Sequence, residues 1–179
     1  MTQIYGVTGM PLAGKTLVAE IMENEEGFTV LDMGDVVRIE MEKRGIDVEN
    51  TGDFVNSMRD EHGMSAIAKL SAPYLDEIID EKEKIVITGM RSWDEKQRFE
   101  EETGESIEVI AVWTPRKERK KRREERQREE DMIGDEFHER DLRELNNGVG
   151  ELLALSDHLI KNSEISKEEL KKKVNNTVS

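Results

Sequence analysis

Gly9-Met10-Pro11-Leu12-Ala13-Gly14-Lys15-Thr16 has the spacing G-x-x-x-x-G-K-[ST] and directly follows an apolar run, Ile4-Tyr5-Gly6-Val7-Thr8. The spacing serves a physical purpose. The glycines let the backbone curl so that successive N–H groups point into one concavity, which suits the oxygens of a polyphosphate. Lys15 then supplies a positive charge to the β- and γ-phosphates, and the Thr16 hydroxyl is placed to ligate Mg²⁺. Upstream, Ile4 to Thr8 reads as a buried strand. Downstream, Thr16 to Met22 reads as a helix carrying Leu17, Val18 and Ile21. Strand, glycine loop and helix together are the setting this motif requires. In that setting the plainer alternative, an ordinary glycine turn, gives way to binding of a nucleoside triphosphate.

Working outward, further strand-like runs fall at 28–31, 84–88, 107–114 and 157–160, separated by long, charged, helix-compatible segments. Apolar strands without alternation, spaced by helices, indicate a parallel sheet covered on both faces. The expectation is a P-loop α/β fold of three layers around about five parallel strands. Two segments read as excursions from it. Residues 34–80 exceed a single crossover helix, and Gly45, Gly52 and Gly63 are expected to break them into two or three helices. Residues 116–147 hold almost no large apolar side chain before Met132, so they are not expected in the core.

The composition limits the partners. Of 179 residues 35% are hydrophobic and 4% aromatic, so the core must be compact and aliphatic. A charged content of 38% and a net charge of −14 repel nucleic acid and anionic membrane overall. With no cysteine, disulfides and thiolate chemistry are excluded. His62, His138 and His158 show no metal-ligand spacing. No apolar run approaches the ~20 residues of a membrane span, and nothing resembles a signal peptide, so a cytoplasmic protein is expected. The polar surface fits a monomer or a homodimer.

Against this acidic background, residues 116–128 hold nine basic and three acidic side chains, a local +6 beside −20 for the remainder. Three readings compete: a solvated helix with Glu–Arg pairs at i,i+4 spacing, a basic helix closing over the phosphate site, and a nucleic-acid-binding arm. The last would need aromatic interleaving or basic surroundings, and neither is present.

Phosphoryl transfer needs cations around the γ-phosphate oxygens, a Mg²⁺ bridge and an acceptor held in line. The acceptor side is suggested by Asp32-Met33-Gly34-Asp35-Val36-Val37-Arg38, beyond the second strand. Ligands of open parallel sheets bind outside the carboxyl ends of the strands, so a carboxylate here faces the phosphate loop. Asp35 is the candidate for holding Mg²⁺-bound water or accepting a proton, and Arg38 for gripping an acceptor phosphate bidentately. Asp35 also suits a helix N-terminus. The third strand ends at Thr88, where P-loop enzymes commonly carry an acid, so Asp35 or Asp32 is expected to supply that charge alone. Gly89 and Arg91 suit a loop that touches substrate.

Together these residues resemble a family. Gly34-Asp35-Val36-Val37-Arg38 is similar to the Gly-Asp-x-x-Arg acceptor motif of adenylate kinases. Thr88-Gly89-Met90-Arg91 is similar to their Asp-Gly-(x)-x-Arg loop, and Arg128 to Asp131 followed by Arg140 to the arginines and acids of their lid. The whole chain resembles the archaeal adenylate-kinase-related proteins of the UPF0200 family. The shared features are Arg59 four residues before Gly63, Glu139-Arg140-Asp141-Leu142-Arg143-Glu144-Leu145 with Gly148-Val149-Gly150, and Ser156-Asp157-His158-Leu159-Ile160-Lys161-Asn162. The last element also resembles the end of dephospho-CoA kinases.

The resemblance implies a nucleotide kinase with a core, an acceptor-binding insertion (34–80) and a lid (116–147). It uses ATP and Mg²⁺ and acts on small-molecule nucleotide or other phosphorylated substrates. It implies that Arg38 and Arg91 hold the acceptor phosphate, with Arg59 also on the substrate side, and that Arg119, Arg126, Arg128 and Arg140 clamp the triphosphate and the transition state. Departures are Thr88 in the usual aspartate position and Glu130-Asp131 as the lid's paired acids. Two alternatives stay open: dephospho-CoA kinase, and a nucleotide-binding regulatory protein with weak ATPase activity.

Overall fold

The computed structural model describes residues 2–127 and 136–179. Five strands form one parallel sheet: β1 (Gln3–Thr8), β2 (Thr29–Asp32), β3 (Lys84–Thr88), β4 (Ile107–Trp113) and β5 (His158–Lys161), in the order β2-β3-β1-β4-β5. β1 is central, pairing Val7 with Thr88 on one side and with Ile110 on the other. The loop after it therefore leaves from the middle of the sheet's carboxyl edge.

Alternate strand residues feed two cores. Ile4, Ile85, Ile87, Ile107 and Val109 pack on one face beneath α2 (Met33–Lys43), α4 (Ala66–Ile79), α5 (Trp93–Thr103) and α8 (Val149–Ala154). Tyr5, Val7, Val86, Ile110, Val112 and Ile160 face the other way, against α1 (Lys15–Glu26) and α9 (Lys167–Val178). Both faces are covered, which is why the strands read as continuous apolar runs. The chain is a P-loop α/β fold of three layers.

Residues 34–80 supply most of α2, then α3 (Thr51–His62) and α4. Gly45 (φ 65°) and Gly63 (φ 83°) end helices as expected, but Gly52 lies in the first turn of α3 and breaks nothing. Glycine tolerates a helical turn at modest cost, so its presence alone does not mark a break. The basic stretch forms α6 (Arg116–Gln127), and α7 (Glu136–Asn146) follows on the far side of 128–135. Arg128 and the Glu130-Asp131 pair lie outside the described residues. Among those described, no helix is long and apolar enough to cross a membrane.

Candidate active site

The phosphate loop is held by close backbone approach. A Cβ at Gly9 would stand 2.5 Å from the Val112 carbonyl oxygen of β4, and one at Gly14 would stand 2.3 Å from the Asn162 amide nitrogen. Gly14 is also left-handed, at φ 102°, as it opens α1. Between them Leu12 adopts φ 65°, a conformation that costs a non-glycine residue about 1–3 kcal/mol. The surrounding contacts hold it there. Asn162 Nδ2 donates to the Ala13 carbonyl at 2.9 Å, and Thr114 Oγ1 donates to the same oxygen at 3.0 Å. The end of β5 is thereby tied to the loop.

Lys15 does not point into solvent. Its Nζ donates to the Gly9 and Met10 carbonyl oxygens at 2.8 and 3.0 Å. Burial pushes its pKa down to about 8. Glu144 opposes that shift, and Arg140, Arg91 and Arg119 add to it. These groups come from α6, α7 and the loop after β3, so the fold gathers Arg91, Arg119, Arg140 and Glu144 around Lys15. The Thr16 side chain is exposed beside them.

A cavity of about 540 Å³ opens beside the loop, lined by Gly14, Lys15, Thr16, Arg122, Arg126 and Arg140 with Asn162 and Ile165 on its far wall. That size suits a small ligand. Arg126 and Arg140 are exposed on its wall and have no hydrogen-bond or ion-pair partner among the described residues. Arg119 is different. It is 4% exposed, and its guanidinium is gripped bidentately by Asp141 of α7 at 2.7 and 2.9 Å while donating to the Pro11 carbonyl at 3.1 Å. Its place is that of a strut between α6, α7 and the phosphate loop.

Arg122 adds a second strut. Nη1 donates to the Leu12 carbonyl at 3.1 Å, and Nη2 donates to the Asn162 carbonyl at 2.8 Å and to Glu118 at 2.8 Å. Phe137 of α7 is buried under the guanidinium groups of Arg116, Arg119 and Arg123, with ring centroids 5.1–5.8 Å away. α6 is thus divided by residue type. Its arginines at 119, 122 and 123 are buried or half-buried and, with the exposed Arg116 and Arg126, meet planar partners, carbonyls and the cavity, whereas Lys117, Lys120 and Lys121 are exposed and line none of it. The division follows from chemistry, because guanidinium forks and stacks on flat groups and ammonium is better hydrated.

Of the two acids expected at the carboxyl edge, Asp32 is the one beside β3. β2 extends to Asp32, opposite Thr88 of β3. The Thr88 hydroxyl donates to Asp32 Oδ2 at 2.6 Å, and Asp32 Oδ1 caps α2 by accepting from the Asp35 N–H at 2.9 Å. The partly buried acid beside β3 is therefore Asp32, donated by the neighbouring strand. Asp35 is exposed and ion-paired with Arg38. Among the described residues no group of three or more acidic or histidine side chains could hold a metal. An ion here would rest on Thr16, a carboxylate reached through water and the nucleotide's own oxygens, which is how Mg²⁺ usually binds.

The loop after β3 is fixed from beneath. Met90 lies where a side chain at Gly6 would stand, 2.0 Å from its Cβ position, and the Thr8 hydroxyl donates to the Met90 carbonyl at 3.2 Å. Gly89, at φ 92°, is exposed, and Arg91 projects to Glu144 of α7 with Nε 3.3 Å from Oε2. The Arg91 N–H donates to the buried Glu95 at 2.6 Å, and burial pushes the Glu95 carboxyl above its ordinary range. Arg59 of α3 lies 3.9 Å from the same carboxylate and donates to Asn147 at 3.1 Å. Arg59 and Arg91 thus meet around Glu95, while Arg38 stays with Asp35. Asp157, the start of the element similar to dephospho-CoA kinases, accepts from the Val109 N–H at 2.7 Å and steadies β4.

Sequence reasoning missed Arg122 and Glu144. Both carried a signal. Arg122 lies between Arg119 and Arg126 on one helical face, and Glu144 stands four residues after Arg140, hence on the same face of α7.

The comparisons with known proteins agree with this geometry. Residues 8–137 match the family model described as an AAA domain. A "UPF0200 protein" of Thermococcus gammatolerans is 38% identical over 176 residues, covering 96% of this chain and 92% of that protein. The chain belongs to the UPF0200 family. Among solved structures, the UPF0200 chain is similar to a sugar kinase from Janibacter (TM-score 0.65, 18% identity, 100% of this chain and 96% of that one). It is also similar to a shikimate kinase from Acinetobacter baumannii (TM-score 0.61, 15% identity, 99% and 93%). At these identities the likeness shows that this UPF0200 chain has a kinase-like P-loop fold.

Proposed function

We propose that this protein is an ATP- and Mg²⁺-dependent phosphotransferase of the nucleotide-kinase type, acting on a small acceptor. The observation that carries the reading is the phosphate loop's cavity, where Arg126 and Arg140 line the wall with no ion-pair partner among the described residues and Lys15 is held by the Gly9 and Met10 carbonyls. A polyphosphate is the ligand whose charge and shape answer that arrangement. Residues Gly9 to Thr16 bind the β- and γ-phosphates. Lys15 leaves its carbonyls for phosphate oxygens, and Arg126 and Arg140 clamp the transferring group. Mg²⁺, when bound with ATP through Thr16, supplies charge neutralisation at the β- and γ-oxygens. Asp32 orients or deprotonates the acceptor, a role its burial and its contact with Thr88 support better than the exposed, paired Asp35. Residues 34–80 form the acceptor wall and α6 and α7 the lid, with Arg38, Arg59, Gly89 and Arg91 on the acceptor side.

The test is transfer of labelled γ-phosphate from ATP to nucleosides, nucleoside monophosphates, sugars and dephospho-CoA, with calorimetry of Mg·ATP analogue binding. Lys15→Ala should abolish micromolar nucleotide binding while leaving the circular dichroism spectrum unchanged. Tight binding with slow hydrolysis and no transfer to any compound favours the regulatory reading, which Thr88 in place of an acid supports. Transfer to dephospho-CoA alone would select that kinase instead.

A further inference from the structure

The cations of the two half-sites are treated in opposite ways. On the donor side, Arg126 and Arg140 have no acidic partner among the described residues. On the acceptor side every arginine singled out is already matched: Arg38 by Asp35, Arg59 by Glu95 at 3.9 Å, and Arg91 by Glu144 at 3.3 Å. The Glu144 side chain is 15% exposed, so its charge is only partly dissipated by water. Glu42 and Asp47, without an ion-pair partner among the described residues, line a separate cavity of about 650 Å³ with Asp35, Arg38, Ile39 and Val48. Asp32 is a further acid at the edge of β2.

Resting on the phosphotransferase reading, we propose that the acceptor is an uncharged polyhydroxy compound, a free sugar, polyol or nucleoside, rather than a phosphate ester. Glu144 is the residue that sets this choice, by neutralising Arg91. A phosphate dianion arriving at Arg91 meets a carboxylate already in place and must displace it or bear the repulsion. A hydroxyl group needs the opposite arrangement. A carboxylate oxygen accepts its O–H while a guanidinium N–H donates to its oxygen, and the Arg91–Glu144 pair offers both. In transfer, the acceptor oxygen forms a bond to the γ-phosphorus and the bond from that phosphorus to the ADP oxygen breaks. The hydroxyl proton passes to Asp32 and on to solvent, leaving ADP and a phosphate monoester.

The experiment offers wild-type protein matched pairs, each nucleoside, aldose or polyol beside its own monophosphate, with γ-labelled ATP and Mg²⁺. The expected result is transfer to the neutral member of at least one pair with kcat/KM at least about tenfold above its monophosphate. Glu144→Gln should shift that ratio about tenfold toward the monophosphate by freeing Arg91, and Glu144→Asp should restore the wild-type preference. A merely structural Glu144 would lower both rates together and leave the ratio unmoved, which overturns its assigned role. Preference of the wild type for the monophosphates overturns the acceptor assignment while preserving the phosphotransferase. Transfer to no compound, by protein that binds Mg·ATP in calorimetry, overturns both.

Discussion

At neutral pH Lys15 keeps its proton by a narrow margin, because burial has brought its pKa down to about 8. A bound triphosphate must raise it again, since opposite charge favours the protonated form. The free protein therefore takes up about 0.9 of a proton on binding a Mg·ATP analogue at pH 9, and close to none at pH 7. Calorimetry in buffers of different ionisation enthalpy reads this directly, and equal uptake at both pH values would remove Lys15 from the phosphate site. Affinity follows the same sign, falling as pH climbs past about 8. The free fold moves the other way at this group: its pKa lies below the ordinary 10.5, so stability is gained between about 8 and 10.5 as pH rises. Thr88 gives a second prediction. From sequence alone, Thr88→Asp restores a familiar carboxylate. In the structure it sets a second acid within hydrogen-bond distance of Asp32, which stands 2.6 Å from the Thr88 hydroxyl. The substitution should cost about 1–3 kcal/mol at pH 8, and denaturant melts should show less of that deficit at pH 5, where one acid of the pair keeps a shared proton. A deficit independent of pH would mean the two side chains do not face each other.

Helix α6 has almost no apolar anchor, and its charge alone suggested an element that stands away from the core until nucleotide arrives. Its arginines make the difference. Arg119 and Arg122 reach the carbonyls of Pro11, Leu12 and Asn162, and Arg119 is locked to Asp141. Amides of 119–123 should therefore exchange slowly even without nucleotide. Asp141→Asn leaves a buried guanidinium without its counter-charge, which costs about 3–5 kcal/mol, so exchange there should accelerate by at least about a hundredfold. Unchanged exchange would show that Asp141 does not hold the helix. These anchors were not legible in sequence because each joins residues far apart: Arg119 meets Asp141 across 22 positions and Pro11 across 108. The phosphate loop was legible because all its determinants are contiguous from Gly9 to Thr16. The strands were legible because burial on both faces leaves continuous apolar runs. β2 ends one residue later than its pattern suggested, and that residue, Asp32, is the partly buried acid, which the sequence alone left open between Asp35 and Asp32.

On the scale of the whole molecule, the net charge of −14 surrounds a strongly basic element, α6, several of whose arginines the protein uses itself. Short single-stranded RNA at low salt should accordingly leave α6 exchange unchanged, where a Mg·ATP analogue slows it. Protection by RNA with a steep salt dependence would show instead that the basic face serves nucleic acid. The division of α6 also has a practical side. Lys117, Lys120 and Lys121 are exposed and line none of the phosphate-loop cavity, so acetylation of that stripe, or a fluorophore coupled to one of its amines, alters the protein's outer coat without touching the groups that meet a nucleotide. A dye placed there would report the movements of α6 as a bystander, its signal changing with the position of the helix.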